Sequence, residues 1–190
     1  MKTAAIILAA GKQTRFGEDL PPKSLYKVGD QTILERMCEL LKKSKVEKIV
    51  LVTNADYPAD VFASDDSIQV AINSETILES IQAGLEELDC FDHVFVFSAD
   101  TYISHENKIT VHLGFWTDMY YDPFENVTIF VLDRLHQYEL KHMDASKFNS
   151  KMEIAAHLGM TCKIVKNDFW MNINTQEDLE RARKLYDSSK

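Results

Sequence analysis

Residues 4–11 read Ala-Ala-Ile-Ile-Leu-Ala-Ala-Gly, an apolar run that ends at a glycine. A run without polar alternation is typical of a strand covered on both faces, as in a parallel sheet. A second such run occupies residues 48–53, and the segment between them, residues 32–43, has its apolar side chains at helical spacing. These three segments predict a β-loop-α-β unit at the start of the chain.

The same alternation continues toward the C-terminus. Thr32 with Glu35, and Thr175 with Asp178, have the spacing of a capping box at the start of a helix. Further strands are predicted at 68–72, 93–98, 109–113, 127–132 and 161–165, and further helices at 76–88, 151–158 and from Thr175 onward. A short helical turn is predicted near 57–63, and residues 115–125 are predicted to be a surface excursion. Strands and helices in turn indicate an α/β fold with a mostly parallel sheet and right-handed crossovers.

Length and composition limit the class of protein. The chain has 190 residues, of which 45% are hydrophobic and 27% charged, so we expect one globular domain rather than a disordered or fibrous chain. The run at residues 4–10 is too short to span a bilayer and lacks the features of a cleaved signal, which predicts a cytoplasmic protein with no membrane partner. Three isolated cysteines, Cys38, Cys90 and Cys162, are expected to be buried small apolar residues.

Charge is distributed unevenly along the chain. The net charge is −9, which argues against binding to nucleic acid or anionic membranes. Residues 1–48 nevertheless contain ten Lys or Arg and six Asp or Glu, whereas residues 49–107 contain no Lys or Arg at all. An anionic ligand must therefore be held mainly by the N-terminal quarter.

A candidate phosphate-binding segment follows the first strand. It comprises residues 8–16, Leu-Ala-Ala-Gly-Lys-Gln-Thr-Arg-Phe, and the later pair Pro22-Lys23. Gly11 has no Cβ and tolerates unusual backbone angles, so phosphate oxygens could approach the backbone N–H groups, while Arg15 and Lys23 could neutralise a triphosphate. Taken alone, the segment is better explained as a solvated surface loop with two ordinary basic residues. The spacing is neither a Walker motif nor the Rossmann glycine pattern.

The combination of Leu-Ala-Ala-Gly-x-x-x-Arg, Pro-Lys and the segment 29–36, Gly-Asp-Gln-Thr-Ile-Leu-Glu-Arg, resembles the opening of a known family. These are the nucleotidyltransferases with a Rossmann-like GT-A fold, acting on sugar phosphates, phosphocholine, inositol phosphate, methylerythritol phosphate or the molybdenum cofactor. The resemblance implies a three-layer α/β/α fold with a mostly parallel central sheet. It extends more weakly to the C-terminus.

The resemblance also implies residue roles. Nucleotide-binding positions would be Leu8, Ala9, Ala10, Gly11 and Ser80. The catalytic cations would be Arg15, at the β- and γ-phosphates, and Lys23, at the α-phosphate. On the residues alone, Ser80 could equally be an exposed helix serine and the nearby Gly84 a helix-packing glycine.

Two oxygen-bearing side chains would hold Mg²⁺ if the resemblance applies. Asp100 lies directly after the strand at 93–98, at the edge where open α/β sheets bind ligands, and it resembles the family's metal-binding aspartate. Asn174 occupies the position of a second metal-binding aspartate and offers only a neutral carbonyl oxygen, so we expect weaker ion binding there. The alternative for Asp100 is a turn aspartate that caps the next segment of the chain.

The partners implied are an NTP, with CTP or UTP favoured, and a small phosphorylated acceptor. Residues 1–100 would form the nucleotide-binding half of one domain and residues 101–190 the acceptor-binding half, with a homodimer possible. Candidate acceptor side chains are His105, His112, Trp116, Tyr120, Tyr121, Lys141 and Lys151. An aromatic and acidic cluster at 115–122, with Asp118 and Asp122, could form a cation-binding cage, although an amphipathic hairpin or a dimer contact explains it more simply.

Two departures from the family pattern keep other functions open. Gln13 stands where many relatives have a second glycine, and Asn174 replaces a carboxylate. The chain could therefore be a catalytically silent paralogue that binds a nucleotide or nucleotide-sugar for regulation. A nucleotide-free α/β interaction module is the third hypothesis.

Overall fold

The computed structural model describes residues 1–11, 20–55, 57–58, 68–72, 76–104, 118–165 and 170–188. Some predictions fall outside these residues: Gln13 and Arg15, the strand at 109–113, and most of the turn at 57–63.

Seven strands of the described chain form one sheet. Its order is β10-β8-β9-β6-β1-β4-β5, with β1 at Thr3–Leu8, β4 at Lys48–Thr53, β5 at Ile68–Ile72, β6 at His93–Ser98, β8 at Met119–Asp122, β9 at Val127–Leu132 and β10 at Cys162–Ile164. Only β9 runs antiparallel to its two neighbours. Two short antiparallel pairs accompany this sheet: β2 (Lys27–Val28) with β3 (Gln31–Thr32), and β7 (Thr101–Ile103) with β11 (Trp170–Asn172).

Helices cover both faces of the sheet. They are α1 (Ile33–Lys43), α2 (Ile77–Glu86), α3 (Arg134–His142), α4 (Lys151–His157) and α5 (Gln176–Ser188) within the described residues. Side chains of α1 pack on the face that carries Ala5 and Ile7 of β1, whereas α2, α3 and α4 pack on the face that carries Ala4 and Ile6. The predicted three-layer α/β/α fold with a mostly parallel sheet is confirmed. No helix in the described part of the chain is long and apolar enough to cross a membrane.

The opening run of the sequence has the predicted environment. Ala4, Ala5, Ile6 and Ile7 are all fully buried because β1 lies between β4 and β6 and has a helical layer on each side. The capping boxes are also confirmed: Thr32 Oγ1 accepts from the Glu35 N–H at 3.1 Å, and the Glu35 carboxylate accepts from the Thr32 N–H at 2.7 Å. These local contacts fix where the first crossover helix begins.

The surface excursion predicted at 115–125 is wrong for residues 119–122, whereas the following turn at 123–125 contains the exposed Pro123 and Phe124. Met119–Asp122 is the buried strand β8, and it forms an antiparallel hairpin with β9. Asp122 is fully buried: its Oδ2 accepts from the Trp170 indole N–H at 3.0 Å, and its Oδ1 accepts from the Phe124 N–H at 3.0 Å. The polar residue that suggested exposure is therefore satisfied inside the fold.

The cysteine prediction holds for one residue of three. Cys38 is buried in the face covered by α1, whereas Cys90 and Cys162 are exposed. Cys162 lies on β10 at the edge of the sheet, where all three strand residues are exposed. Edge strands have no neighbour on one side, so the apolar character of a residue there does not ensure its burial.

We expect Gly84→Ala to lower the free energy of unfolding by about 1–3 kcal/mol, the usual cost of overpacking a core. A Cβ at Gly84 would lie 2.7 Å from Cγ2 of Ile6, a fully buried residue of β1. The better helix propensity of alanine, worth up to about 1 kcal/mol, offsets only part of this cost. Denaturant unfolding would measure the change. In a double-mutant cycle with Ile6→Ala, the cost should shrink; strictly additive effects would contradict this explanation.

Candidate functional site

A cavity of about 450 Å³ lies at the carboxyl ends of the parallel strands β1, β4 and β6. Its walls come from these strand ends, from the Pro22–Ser24 segment and from the start of α2; the lining residues are Leu8, Ala9, Ala10, Gly11, Pro22, Lys23, Ser24, Asn54, Tyr57, Thr76, Ile77, Ser80, Ser98, Ala99 and Asp100. Open α/β sheets bind ligands at this edge. The volume is within the range of small-molecule sites, roughly 300–1,000 Å³.

An ion pair lies at the rim of the cavity. The Lys23 ammonium and Oδ2 of Asp100 are 2.7 Å apart, and their side chains are only 17% and 22% exposed. Lys23 begins a 3₁₀ turn after Pro22, whereas Asp100 comes after β6, 77 residues later in the chain. The fold thus brings together the two residues that the sequence assigned to α-phosphate and metal binding.

Strand pairing brings Asn174 next to the Lys23–Asp100 ion pair. Strand β11 pairs with β7 directly after Asp100, and the Ile173 N–H donates to the Asp100 carbonyl at 2.9 Å. One residue further on, Oδ1 of Asn174 accepts from the Lys23 ammonium at 3.4 Å. Asp178 caps α5 as predicted, because its Oδ2 accepts from the Asn174 and Thr175 N–H groups at 3.0 Å each.

The oxygen atoms of Asp100 and Asn174 fit a divalent cation that takes its other oxygen ligands from the nucleotide and from water. Oδ1 of Asp100 is buried and has no hydrogen-bond partner among the described residues, and an orphaned carboxylate oxygen suits a hard cation. The described residues contain no cluster of three or more His, Cys, Asp or Glu side chains that could hold a metal ion. Nucleotide phosphates and water would have to complete the coordination.

The last residue of β1 and the three residues after it line the cavity as a group: Leu8, Ala9, Ala10 and Gly11. The Ala9 N–H donates to Val52 of β4, and the Leu8 carbonyl accepts from Ala99 after β6, so neighbouring strands hold this backbone in place. Gly11 does not adopt a left-handed φ, so the tolerance of glycine for unusual backbone angles is not used at this position. A Cβ there would meet no atom of the described residues within 4 Å. Gly11 lines the cavity without a side chain and so leaves this part of it open.

Ser80 lies on the first turn of α2, with its side chain toward the cavity. It is only 6% exposed, and its hydroxyl donates to the Thr76 carbonyl at 2.9 Å. The alternative of an exposed helix serine is therefore wrong. Gly84, one turn further on, is a helix-packing glycine, as its contact distance to Ile6 shows.

The remaining sequence candidates divide into three groups. Arg15, His105, His112 and Trp116 lie outside the described residues. Tyr120 is buried and Lys141 is exposed on α3. Of the carboxylates of the possible cation cage, Asp122 is buried against Trp170, and Oδ2 of Asp118 accepts from the Thr161 N–H and hydroxyl at 2.8 Å each. Residues 115–117 of that cluster lie outside the described residues.

A buried hydroxyl pair in the cavity wall has no signal in the sequence. Ser24 Oγ and the Tyr57 hydroxyl are 2.7 Å apart, and both residues line the cavity. Burial raises the pKa of Tyr57 to about 12, although the hydrogen bond with Ser24 opposes this shift. Tyr57 therefore remains protonated at neutral pH, and the pair links the Lys23 segment to the loop after β4.

Lys151 does not line the cavity itself but contacts Ser98, which does. Its ammonium donates to Ser98 Oγ at 2.9 Å and to the Thr128 carbonyl at 3.0 Å, although the residue is only 6% exposed. Burial lowers the pKa of Lys151 to about 8, and the negative charge of Asp100 opposes this shift. The sequence marks Lys151 only as one of several polar residues in the C-terminal half.

We expect Gly11→Ala to leave the thermal unfolding midpoint within about 1 °C of the parent value, because the added Cβ meets no described atom and φ is not left-handed. The same substitution should reduce the thermal shift caused by NTP and Mg²⁺, because the Cβ enters the cavity.

Gly159→Ala is the matched control. Gly159 has a φ of 63° and open space around it, so this variant should lose about 1–2 kcal/mol of stability from backbone strain but keep its response to NTP. The reverse pattern would contradict the assignment.

The mostly parallel sheet, the cavity at its carboxyl edge and the Lys–Asp pair at the rim define an α/β protein of the ligand-binding, open-sheet class. A family model for the MobA-like NTP transferase domain matches residues 5–109, more than half of the chain. The chain therefore belongs to the MobA-like NTP transferase family. The match covers β1 through Asp100 and so includes every strand end that lines the cavity.

Several of the known proteins that resemble the chain are named as nucleotidyltransferases. The bifunctional protein GlmU of Buchnera aphidicola subsp. Schizaphis graminum is 37% identical over 106 residues, which are 54% of this chain and 23% of that protein. The match thus spans about a quarter of this curated relative's length. Two solved structures share the fold: the inositol-1-phosphate CTP transferase of T. maritima (TM-score 0.72, 18% identity, 98% and 95% of the two chains) and the CTP:phosphocholine cytidylyltransferase of Streptococcus pneumoniae (TM-score 0.71, 15% identity, 97% and 99%).

Proposed function

We propose that this chain is a nucleotidyltransferase that transfers an NMP group from an NTP to a small phosphomonoester and releases pyrophosphate. The observation that carries the proposal is the Lys23–Asp100 ion pair, whose charged atoms are 2.7 Å apart. Both residues line the cavity, and so does Gly11, which follows β1. Membership of the MobA-like NTP transferase family supports it.

The reaction needs positioning and charge neutralisation rather than acid–base chemistry. A phosphate oxygen of the acceptor attacks the α-phosphorus of the NTP, a new P–O bond forms, and the bond to the β-phosphate oxygen breaks as pyrophosphate leaves. The nucleophile is already an anion at neutral pH, so no general base is required. Alignment of the two anions and stabilisation of the charge that develops at the α-phosphate would supply the catalysis.

Each site residue has a place in this scheme. The backbone of residues 8–11 and the Ser80 side chain would contact the nucleotide, since all of them line the cavity. Arg15 would neutralise the β- and γ-phosphates. Lys23 would stabilise the α-phosphate as charge develops there, a task that suits a mobile ammonium group.

Asp100 would bind Mg²⁺ through its orphaned Oδ1, and Asn174 would offer a weaker neutral ligand. When bound together with the nucleotide, the ion would neutralise triphosphate charge. The role of the protein is to hold Asp100 at the strand end by the Ile173–Asp100 hydrogen bond and to keep the Lys23 cation beside it.

We further propose that the nucleotide binds in the half formed by residues 1–100 and the acceptor in the half formed by 101–190. All described lining residues of the cavity belong to the first half, which supports this division. Ser98 and Asp100 lie at the end of that half, where the acceptor phosphate would meet the nucleotide. CTP or UTP is the favoured nucleotide, in keeping with the CTP-dependent neighbours. Sugar, polyol and aminoalcohol phosphates are the candidate acceptors.

A matrix of four NTPs against sugar 1-phosphates, phosphocholine, inositol phosphate and other polyol phosphates tests the proposal. We expect pyrophosphate release for one NTP with at least one acceptor class. The neutral Asn174, with Asp100 as the only carboxylate among the described cavity residues, favours one other function, that of a silent nucleotide-binding regulator. An NTP-dependent thermal shift without turnover across the whole matrix would support that function instead.

A further inference from the structure

Lys151 is an unusual residue in this fold because it is the only Lys or Arg that is buried among the described residues. Its two partners, Ser98 Oγ and the Thr128 carbonyl, are neutral oxygens. No described carboxylate lies within ion-pair distance of its ammonium, although the charge of Asp100 acts on it from further away. Burial of a cation without a direct counter-ion is costly, so a structural role alone accounts poorly for a lysine here.

The position of the ammonium is set by the sheet. The pairing of β6 with β9 ends at Val96 and Phe130. Beyond this last pair, Ser98 follows Val96 by two residues and Thr128 precedes Phe130 by two. The Lys151 ammonium joins Ser98 to Thr128 by hydrogen bonds, in place of backbone pairing between the strands. Lys151 thus fixes the carboxyl end of β6, two residues before Asp100.

Ser98 connects this buried charge to the cavity. It is partly exposed and lines the cavity, and its hydroxyl oxygen accepts from Lys151. A hydroxyl that accepts from a cation keeps its own hydrogen for donation, and the cation polarises it. The described residues provide no acceptor for that hydrogen, so a ligand in the cavity can accept it.

The order of the strands indicates which anion the Ser98 hydroxyl would bind. Strand β6 lies between β1, whose end would hold the nucleotide, and β9, which belongs to the second half of the chain. The Ser98–Lys151 pair is located on the β9 side, and residues 49–107 provide no Lys or Arg of their own. Among the described residues, Lys151 can therefore provide positive charge for a second anion next to Ser98.

We propose that the Ser98 hydroxyl, positioned and polarised by Lys151, donates a hydrogen bond to the phosphate of the acceptor. Ser98 is then a specificity-determining contact, and Lys151 is a positioning residue that acts through it. This inference rests on the proposed nucleotidyltransferase function.

Binding of inorganic phosphate in the presence of a nonhydrolysable NTP analogue and Mg²⁺, measured by calorimetry, tests the inference without turnover. Ser98→Ala should weaken phosphate binding by about 10- to 100-fold, the range for a lost charge-assisted hydrogen bond. Ser98→Thr, which keeps the hydroxyl, should restore most of the affinity. Lys151→Met should weaken binding to a similar extent, and the double variant should lose little more, because the two residues act as one unit.

Lys147→Met is the charge-matched control, since Lys147 is exposed and pairs only with Asp144 on the surface. This variant should bind phosphate as the parent protein does. In turnover assays, Ser98→Ala and Lys151→Met should raise the acceptor KM and leave the NTP KM unchanged, a split that a general loss of structure would not produce.

Unchanged phosphate affinity in Ser98→Ala and Lys151→Met, additive losses in the double variant, or no phosphate binding by the parent protein would each overturn the inference. Failure of the proposed function has a different signature. In that case the parent protein itself would release no pyrophosphate with any NTP and acceptor of the matrix, whatever the state of Ser98.

Discussion

Lys23→Met should lower the rate of pyrophosphate release by about 10²–10³-fold, the usual cost of removing one preorganised charge that stabilises the transition state. Methionine keeps the length of the side chain and removes the ammonium, which in the free protein is 2.7 Å from Asp100 and 3.4 Å from Oδ1 of Asn174. Because the ammonium would act mainly on charge that develops at the α-phosphate, the loss should appear in kcat more than in the KM for NTP. Steady-state kinetics under saturating NTP would measure it.

Lys27→Met provides the matched control. Lys27 lies four residues later on β2, carries the same charge and is exposed. This variant should retain parental activity, which would separate a local role of Lys23 from a general effect of net charge. Circular dichroism and thermal unfolding should show that Lys23→Met remains folded. Full activity in a folded Lys23→Met protein would exclude Lys23 from the reaction.

Asp100→Asn should reduce turnover by at least about 100-fold and move the Mg²⁺ requirement to higher concentration, since an amide is a poorer ligand for a hard cation than a carboxylate. The substitution preserves shape and removes both the orphaned Oδ1 charge and the ion pair with Lys23. It should also lower the pKa of Lys151 further, because the Asp100 charge opposes the effect of burial.

A binding measurement isolates the metal contribution. In the parent protein, Mg²⁺ should increase the thermal shift given by NTP, and in Asp100→Asn this increment should largely disappear. Asp89→Asn, at an exposed aspartate after α2, is the control that should behave as the parent. An undiminished Mg²⁺ increment in Asp100→Asn would show that the ion binds elsewhere.

Much of the fold can be predicted from local features of the sequence. The run at residues 4–10 predicts a central strand because apolar side chains on both faces are stable only between two layers, and Ala4 to Ile7 are fully buried there. The capping box at Thr32 and Glu35 predicts the start of α1 because its hydrogen bonds lie within four residues of sequence. Helix α3, after the N-cap Asp133, and the buried strand β8 escaped prediction. Strand β8 is defined by pairing with β9 and by the Asp122–Trp170 hydrogen bond, which spans 48 residues.

The candidate site likewise contains residues that the sequence indicates and contacts that it does not. Asp100 and Gly11 could be found because each follows an apolar strand, and Asn174 because its motif resembles that of the nucleotidyltransferases. Their convergence with Lys23 depends on the β7–β11 pairing and on the order of the sheet. No local pattern marks the contact of Lys151 with Ser98, which joins residues 53 positions apart. Contacts of this kind are properties of topology and cannot be derived from composition or spacing.

The fate of isotopically labelled NTP tests the central claim most directly. With the NTP and acceptor that respond in the matrix, label at the α-phosphate should appear in an NDP-linked product and label at the γ-phosphate in pyrophosphate, with equal amounts of each. Lys23→Met and Asp100→Asn should lose both signals together. Binding of the labelled NTP without transfer of the α-label to any acceptor, or release of label as inorganic phosphate alone, would contradict the assignment of this chain as a nucleotidyltransferase.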